Sequence, residues 1–208
     1  MPLKFYMTPG SCTTGIHILL EELELVFEVY MVNLLKNNHK TPDYIAMNPK
    51  MSIPMLVSEE GRVITEFQAI AYWLAKTYPK VKLFSDNLDN EVRILEVMDY
   101  VVATIHMQGF ARIFTTDKFT PNESDYEWVK QQGRQIIDEG FSVMNTSLEG
   151  RDYVTGQFSI ADAALFYVEF WADKTDIQLP ENCLKHYQTM LTRPAVRQVL
   201  AEEGYQLS

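Results

Sequence analysis

The chain has little cysteine. Among 208 residues there are two, Cys12 and Cys183. Two cysteines build no disulfide framework and no four-ligand zinc site. That scarcity fits a reducing compartment. The N-terminus carries one lysine and no apolar run of signal-peptide length, so the expected location is cytoplasmic. Long apolar runs are also missing: none approaches the roughly 20 residues that cross a bilayer. There are no internal repeats, no low-complexity segments and no stretch of disordered composition. Positive charge is scarce in the second part. Residues 1–85 balance eight basic against eight acidic side chains, whereas residues 86–208 set ten against twenty. The whole excess of −10 therefore lies in the second part, which excludes nucleic acid and anionic lipid as its partners.

What is present supports a large core. Hydrophobic residues make up 47% and aromatics 12%, unlike a disordered chain. Alternation of Leu3, Phe5 and Met7 with Lys4 and Tyr6 predicts a strand over 3–7. Ile16, Leu19, Leu20 and Leu23 predict a helix over 13–24. A strand over 27–32 completes a βαβ unit with parallel strands. Thr41-Pro42-Asp43 opens a short helix to Met47. Ser52-Ile53-Pro54-Met55-Leu56-Val57 reads as a strand with proline near its start. Glu59-Glu60-Gly61 turns the chain into a returning strand at Val63-Ile64. Thr65-Glu66 opens a helix through Leu74. The first domain, residues 1–80, is thus α/β in the order βαβ-α-ββα. Residues 81–88 have linker composition. From 89 to 208 every pattern is helical: a long helix carrying Val92 to Phe114, a second from Thr120 to Leu148, a third after Ser159-Ile160-Ala161-Asp162, and two shorter ones. The last motif is a capping-box variant with Asp in the usual Glu place.

One cysteine sits where the first strand hands over to the first helix, in Thr8-Pro9-Gly10-Ser11-Cys12-Thr13-Thr14. Free N–H groups and the positive dipole end gather at a helix start. There a thiolate is favoured and the cysteine pKa falls. A small buried cysteine in a turn is the other reading, and position alone does not separate the two.

The order of these motifs resembles the cytosolic glutathione transferases over nearly the whole chain. The first domain resembles their thioredoxin-like domain. Ser52-Ile53-Pro54-Met55-Leu56 matches the segment whose proline is cis in that family. Thr65-Glu66-Phe67-Gln68-Ala69-Ile70 matches the segment that grips the γ-glutamyl end of glutathione. Gly156-Gln157-Phe158-Ser159-Ile160-Ala161-Asp162 matches the family's buried capping box. Thr8 to Cys12 with His17, together with His106 and Gly109-Phe110, resembles the bacterial beta class. The resemblance implies glutathione as co-substrate, with no metal. Ile53 and Pro54 would pair with its peptide backbone as a strand pairs with a sheet edge. Glu66 would take its ammonium and the N–H at Phe67 its carboxylate. Lys36 would meet its glycine carboxylate. Ser11 and Cys12 would hold the thiolate or exchange disulfides with it. His106 would reach across the cleft as donor or base. His17 is read as structural. An apolar electrophile site would lie between the domains, lined by Met7, Met107, Phe110 and Phe114. The family also implies a homodimer, with Tyr72, Trp73 and Met98 as interface candidates.

Three positions depart from the beta-class pattern. Met7 stands where that class has tyrosine, and strand alternation turns Tyr6 to the opposite side. Phe67 replaces a serine or small residue. Met107 replaces a lysine. Each removes a polar contact, and together they point to weak conjugation. Two functions follow. The first is a glutathione-dependent enzyme that conjugates apolar electrophiles or exchanges disulfides through Cys12. The second is a catalytically silent binding or regulatory protein, resembling the bacterial starvation-response relatives of the family. The two-cysteine redox proteins are disfavoured, since Gly15 stands three residues after Cys12.

Overall fold

The computed structural model describes residues 1–206. Four strands form one mixed sheet: β1 (Leu3–Met7), β2 (Phe27–Met31), β3 (Met55–Val57) and β4 (Val63–Thr65), in the order β2-β1-β3-β4. β1 runs parallel to β2, pairing Leu3 with Phe27 and Met7 with Met31. It runs antiparallel to β3, which is antiparallel to β4. The connection between β1 and β2 is α1 (Thr13–Glu22). α2 (Pro42–Met47) starts with Thr41 as N-cap and proline in its first turn, as expected. α3 (Phe67–Thr77) follows β4. This is the thioredoxin-like arrangement, and it places the end of β1 and the start of β3 beside the start of α1.

Alternation along β1 has a physical result. Leu3, Phe5 and Met7 are buried against the helices, while Lys4 and Tyr6 are half-buried on the other face. Tyr6 stacks on Tyr30 with centroids 4.7 Å apart. It thus faces away from the side that Met7 occupies, as alternation predicts.

The second helical series comprises α4 (Leu88–Asp99), α5 (Ala111–Phe114), α6 (Tyr126–Ser147), α7 (Ile160–Lys174) and α8 (Glu181–Thr192), and α9 (Pro194–Glu202) follows it. The long helix expected over Val92 to Phe114 is continuous, but its middle, Tyr100–Phe110, is wound as a π-helix. π turns are rare and occur as short insertions, often at functional sites. His106 lies in this stretch. α6 approaches it through small residues. A Cβ on Gly133 would lie 2.8 Å from the Gly109 carbonyl oxygen, and one on Gly140 would lie 2.6 Å from Ile105. Only glycine permits that closeness.

The chain divides into two compact units. One is Met1–Phe84 together with the C-terminal segment from Leu191; the other is Ser85–Met190. This differs from the expected division at residues 80 and 88. α9 packs against α1 instead of joining the helical series, because Val196, Val199 and Leu200 bury on that side. Arg193 also forks onto Glu22, its Nε 2.7 Å and its Nη2 2.8 Å from the two carboxylate oxygens. Such bidentate pairs are among the stronger ion pairs.

Inside the helical unit the expected capping box is present. Asp162 Oδ2 accepts the Ser159 N–H and hydroxyl, both at 2.8 Å, and Oδ1 accepts the Val154 N–H at 2.8 Å. A second buried carboxylate, Glu169, joins it through His186. The imidazole Nδ1 is 2.8 Å from Glu169 and Nε2 is 3.2 Å from Asp162, with all three side chains fully buried. Burial alone would lower the His186 pKa. The charge of Glu169 and hydrogen bonds to both carboxylates outweigh it and raise the pKa from 6.5 to about 10. His186 is therefore the imidazolium that allows two carboxylates into the core.

Candidate functional site

The turn after β1 is built on its own hydroxyls. Ser11 Oγ donates to the Thr8 carbonyl at 2.7 Å and accepts the Thr13 N–H at 3.1 Å. Thr13 Oγ1 donates to the same carbonyl at 2.9 Å and accepts the Thr8 N–H at 3.2 Å. The Thr14 N–H reaches the Ser11 carbonyl at 3.0 Å, and the Gly15 N–H the Cys12 carbonyl at 3.2 Å. The donors at the start of α1 are thus consumed inside the turn. Gly10 holds φ of +69°, and a Cβ there would meet the Tyr205 hydroxyl at 2.0 Å.

Cys12 is the N-cap of α1, yet its side chain makes no capping bond. It is only 8% exposed. Its thiol donates to the Ile53 carbonyl with Sγ and O 3.9 Å apart. Burial is the largest influence and pushes its pKa up to about 12; a backbone contact at Cys12 itself offsets part of this, and the charge of Glu66 adds to it. The expectation of a lowered pKa is therefore corrected. Burial of the thiol outweighs the backbone contact at the helix start that favours a thiolate. In this state Cys12 is a thiol at neutral pH. Ser11 is likewise committed to the turn.

The Ile53-Pro54 peptide is cis. Ile53 packs on Val32, Tyr44 and Met55, and Tyr44 and Asn48 both donate to the Ser52 carbonyl, at 2.7 and 2.8 Å. These contacts fix the segment whose carbonyl meets Cys12. Glu66 stands at the start of its helix, as expected. It is the residue before α3, with φ of 75° and ψ of 129°. A non-glycine residue held there carries backbone strain, a feature that clusters at binding sites. Its carboxylate is exposed and pairs with Lys50 Nζ at 2.7 Å, while Lys50 also donates to Thr65 Oγ1 at 3.0 Å. Phe67, the first residue of α3, turns its ring into the core. Lys36 is exposed in the loop after β2, where its N–H caps onto Asn33 Oδ1 at 2.9 Å. Cys12, Ile53, Pro54, Glu66 and Phe67 therefore all belong to one compact unit. Met7 was expected to line the electrophile site. It is instead 1% exposed in the core beneath the sheet, since strand alternation places it with Leu3 and Phe5.

His106, Met107, Phe110 and Phe114 belong to the other unit. Their hub is Trp171 on α7, whose ring lies 4.7 Å from His106 and 5.3 Å from both Phe110 and Phe114. His106 Nδ1 is 3.2 Å from the Tyr167 hydroxyl. Burial lowers its pKa to about 4, so the imidazole is neutral at pH 7. Phe110 is fully buried and supports the others, while Met107 and Phe114 are exposed. Of the interface candidates, Tyr72 is exposed, Trp73 half-buried, and Met98 fully buried within the chain and so unable to serve.

Three residues escaped sequence reasoning. Lys50 sits in Asn48-Pro49-Lys50, legible only as a helix end. Trp171 closes an apolar helix and gives no sign of being an aromatic hub. Glu203 lies 193 residues from Gly10, yet accepts its N–H at 2.8 Å; no local pattern carries that contact.

Comparison with known proteins gives this geometry a family. Residues 10–77 match the family model for the glutathione S-transferase N-terminal domain. The chain is 32% identical over 207 residues to the glutathione S-transferase GstA of Escherichia coli O157:H7, covering 97% of this chain and 99% of that one. It is 27% identical to the glutathione S-transferase GST-4.5 of Xanthomonas campestris, with 97% and 99% coverage. A solved glutathione transferase homologue from Sulfitobacter, with bound glutathione, superposes with a TM-score of 0.88 at 25% identity, over 97% of this chain and 98% of that one. The chain belongs to the glutathione S-transferase family, and its fold is that of a thioredoxin-like domain followed by a helical one. No helix among the described residues is long and apolar enough to cross a membrane.

Proposed function

We propose that this protein binds glutathione as co-substrate and acts as a glutathione transferase of the beta-class type. The observation that carries the reading is the grouping in one unit of the cis Ile53-Pro54 bond, the strained Glu66 at the start of α3, and Cys12 facing the Ile53 carbonyl. The tripeptide runs antiparallel to the Ile53-Pro54 segment, exchanging backbone hydrogen bonds with Ile53. Its γ-glutamyl carboxylate meets the N-terminus of α3 at Phe67 and its ammonium meets Glu66. Lys50 competes for Glu66 until the ammonium replaces it. Lys36 is the partner for the glycine carboxylate. The glutathione sulfur then lies beside Cys12 and Ser11. As a thiolate it attacks an electrophilic carbon, and the leaving group departs with its bonding pair. In the helical unit, Met107 and Phe114 are exposed apolar side chains. His106 is neutral at pH 7, and the burial that keeps it so makes it a weak base.

A specific observation favours the second reading, a binding or regulatory protein with little catalysis. Cys12 is buried and protonated, and the polar groups expected at Met7, Phe67 and Met107 are absent. Disulfide exchange requires the Cys12 thiolate to attack a disulfide sulfur and expel the other thiolate, so Cys12 must first lose its proton to ligand or solvent.

Thermal shift with glutathione separates the readings. Millimolar glutathione raises the melting temperature if the native state binds it. Under the enzyme reading, Cys12→Ala keeps that shift and lowers exchange with a small glutathione mixed disulfide. No shift sinks the glutathione reading, and a shift with exchange unchanged in Cys12→Ala sinks the cysteine's role.

A further inference from the structure

The corner where α1 meets α9 holds a histidine with one nitrogen fixed and the other open. His17 lies on α1, its side chain 4% exposed, and Nδ1 is 3.0 Å from Glu203 Oε1. The other oxygen of Glu203 accepts the Gly10 N–H at 2.8 Å and the Thr14 hydroxyl at 2.7 Å. Glu203 thus holds the Nδ1 side of the ring, and Nε2 points away from it. Nε2 is buried and makes no hydrogen bond. The polar atom facing it is Glu202 Oε2, 3.2 Å away.

Glu21 follows His17 by four residues, so both project from the same face of α1. One ligand atom each from His17, Glu21 and Glu202 lie within 4.8 Å of one another. No lysine or arginine among the described residues pairs with Glu21 or Glu202. The nearby Arg193 is engaged by Glu22. Glu202 turns its other oxygen to Gln198 at 3.0 Å, leaving Oε2 for the corner. Two carboxylates and the unbonded ring nitrogen thus converge with no lysine or arginine among them.

We propose that His17 Nε2, Glu21 and Glu202 form a binding site for a divalent transition-metal ion, with zinc the best match. Imidazole and carboxylate are zinc's nitrogen and oxygen ligands, and tetrahedral zinc sets neighbouring ligand atoms about 3.3 Å apart. The separation of His17 Nε2 from Glu202 Oε2 already has that value. Glu203 is the outer carboxylate that a metal-bound histidine requires to fix its tautomer. Water fills the fourth position. The bound ion ties α9 to α1 at the back of the turn that carries Cys12, and it needs no glutathione to do so.

The test uses the full-length protein, stripped of metal and titrated with zinc chloride by calorimetry, with cobalt chloride in parallel for its visible absorption. The expected result is one ion per chain, a raised melting temperature and cobalt bands of a four-coordinate nitrogen and oxygen site. Glu21→Gln with Glu202→Gln, both at the surface end of the cluster, weakens zinc binding by at least about 100-fold. Cys12→Ser leaves it unchanged. Binding that survives the double glutamine variant, binding lost in Cys12→Ser, or no saturable binding at all overturns the site.

Discussion

Each unit of this protein buries one histidine between carboxylates, and the two are finished differently. In the helical unit His186 is closed: both nitrogens meet carboxylates, at 2.8 and 3.2 Å, and all three side chains are fully buried. In the thioredoxin-like unit His17 is half closed. Nδ1 is held by the buried Glu203, but Nε2 opens towards Glu202, which is 47% exposed. Similar residues thus give a structural lock in one place and a ligand-ready corner in the other. The difference lies in where the chain ends each helix. Glu169 and Asp162 sit on one long buried helix, whereas Glu202 and Glu203 straddle the end of α9, one facing water and one facing in.

Breaking the closed cluster has the largest effect. His186→Leu leaves Asp162 and Glu169 buried without their cation, and is expected to cost about 3–5 kcal/mol in urea unfolding. The pH dependence follows from the sign of the shift. The folded pKa of His186 lies above its usual 6.5, at about 10. Its stabilisation is full below pH 6.5 and is lost as pH rises towards 10. Glu169 contributes at lower pH: burial raises its pKa from 4.5 to about 7 despite His186, so its share of stability is lost as pH rises from 4.5 to 7, largely below the His186 window. Wild-type stability should therefore fall between pH 6.5 and 10, and the fall should be shallower in His186→Leu.

The half-closed cluster ranks next. Glu203→Gln removes the charge that receives Gly10, Thr14 and His17, and is expected to cost about 1–3 kcal/mol. It should also speed hydrogen exchange at Gly10, which a purely remote destabilisation would not single out. Glu202→Gln is the smallest change. Without metal it relieves repulsion with Glu21, whose pKa is raised by burial and then by the charge of Glu202. Its effect on unfolding is expected to lie within about 0.5 kcal/mol. A large loss from Glu202→Gln in metal-free protein would erase the contrast between the two histidines.

The fold was largely legible. Strand alternation in Leu3 to Met7, the Thr41-Pro42 start and the Ser159–Asp162 box are local signals, and each became the element it predicted. The order of elements marked the thioredoxin-like domain. Boundaries were less legible where tertiary contacts set them. α9 joins the first unit. The site divided in the same way. The cis Ile53-Pro54 bond was implied by the family resemblance and is present; the approach of Cys12 to the Ile53 carbonyl is a tertiary contact. The acidity of Cys12 was not legible, because burial pushes its pKa up, and a helix-start position does not state how deeply the thiol is buried.

By itself, then, the sequence determined which segments become strands and helices, that the chain has the glutathione S-transferase architecture, and which residues stand in its key segments. Periodicity and capping act within a few residues, and the chain carries them openly. Only the tertiary structure decided the protonation of Cys12, His106 and His186, the burial of Met7 and Phe67, and the meeting of His17 with Glu202 and Glu203. Those depend on desolvation and on charges brought together from far along the chain. A sequence names such groups without stating what surrounds them.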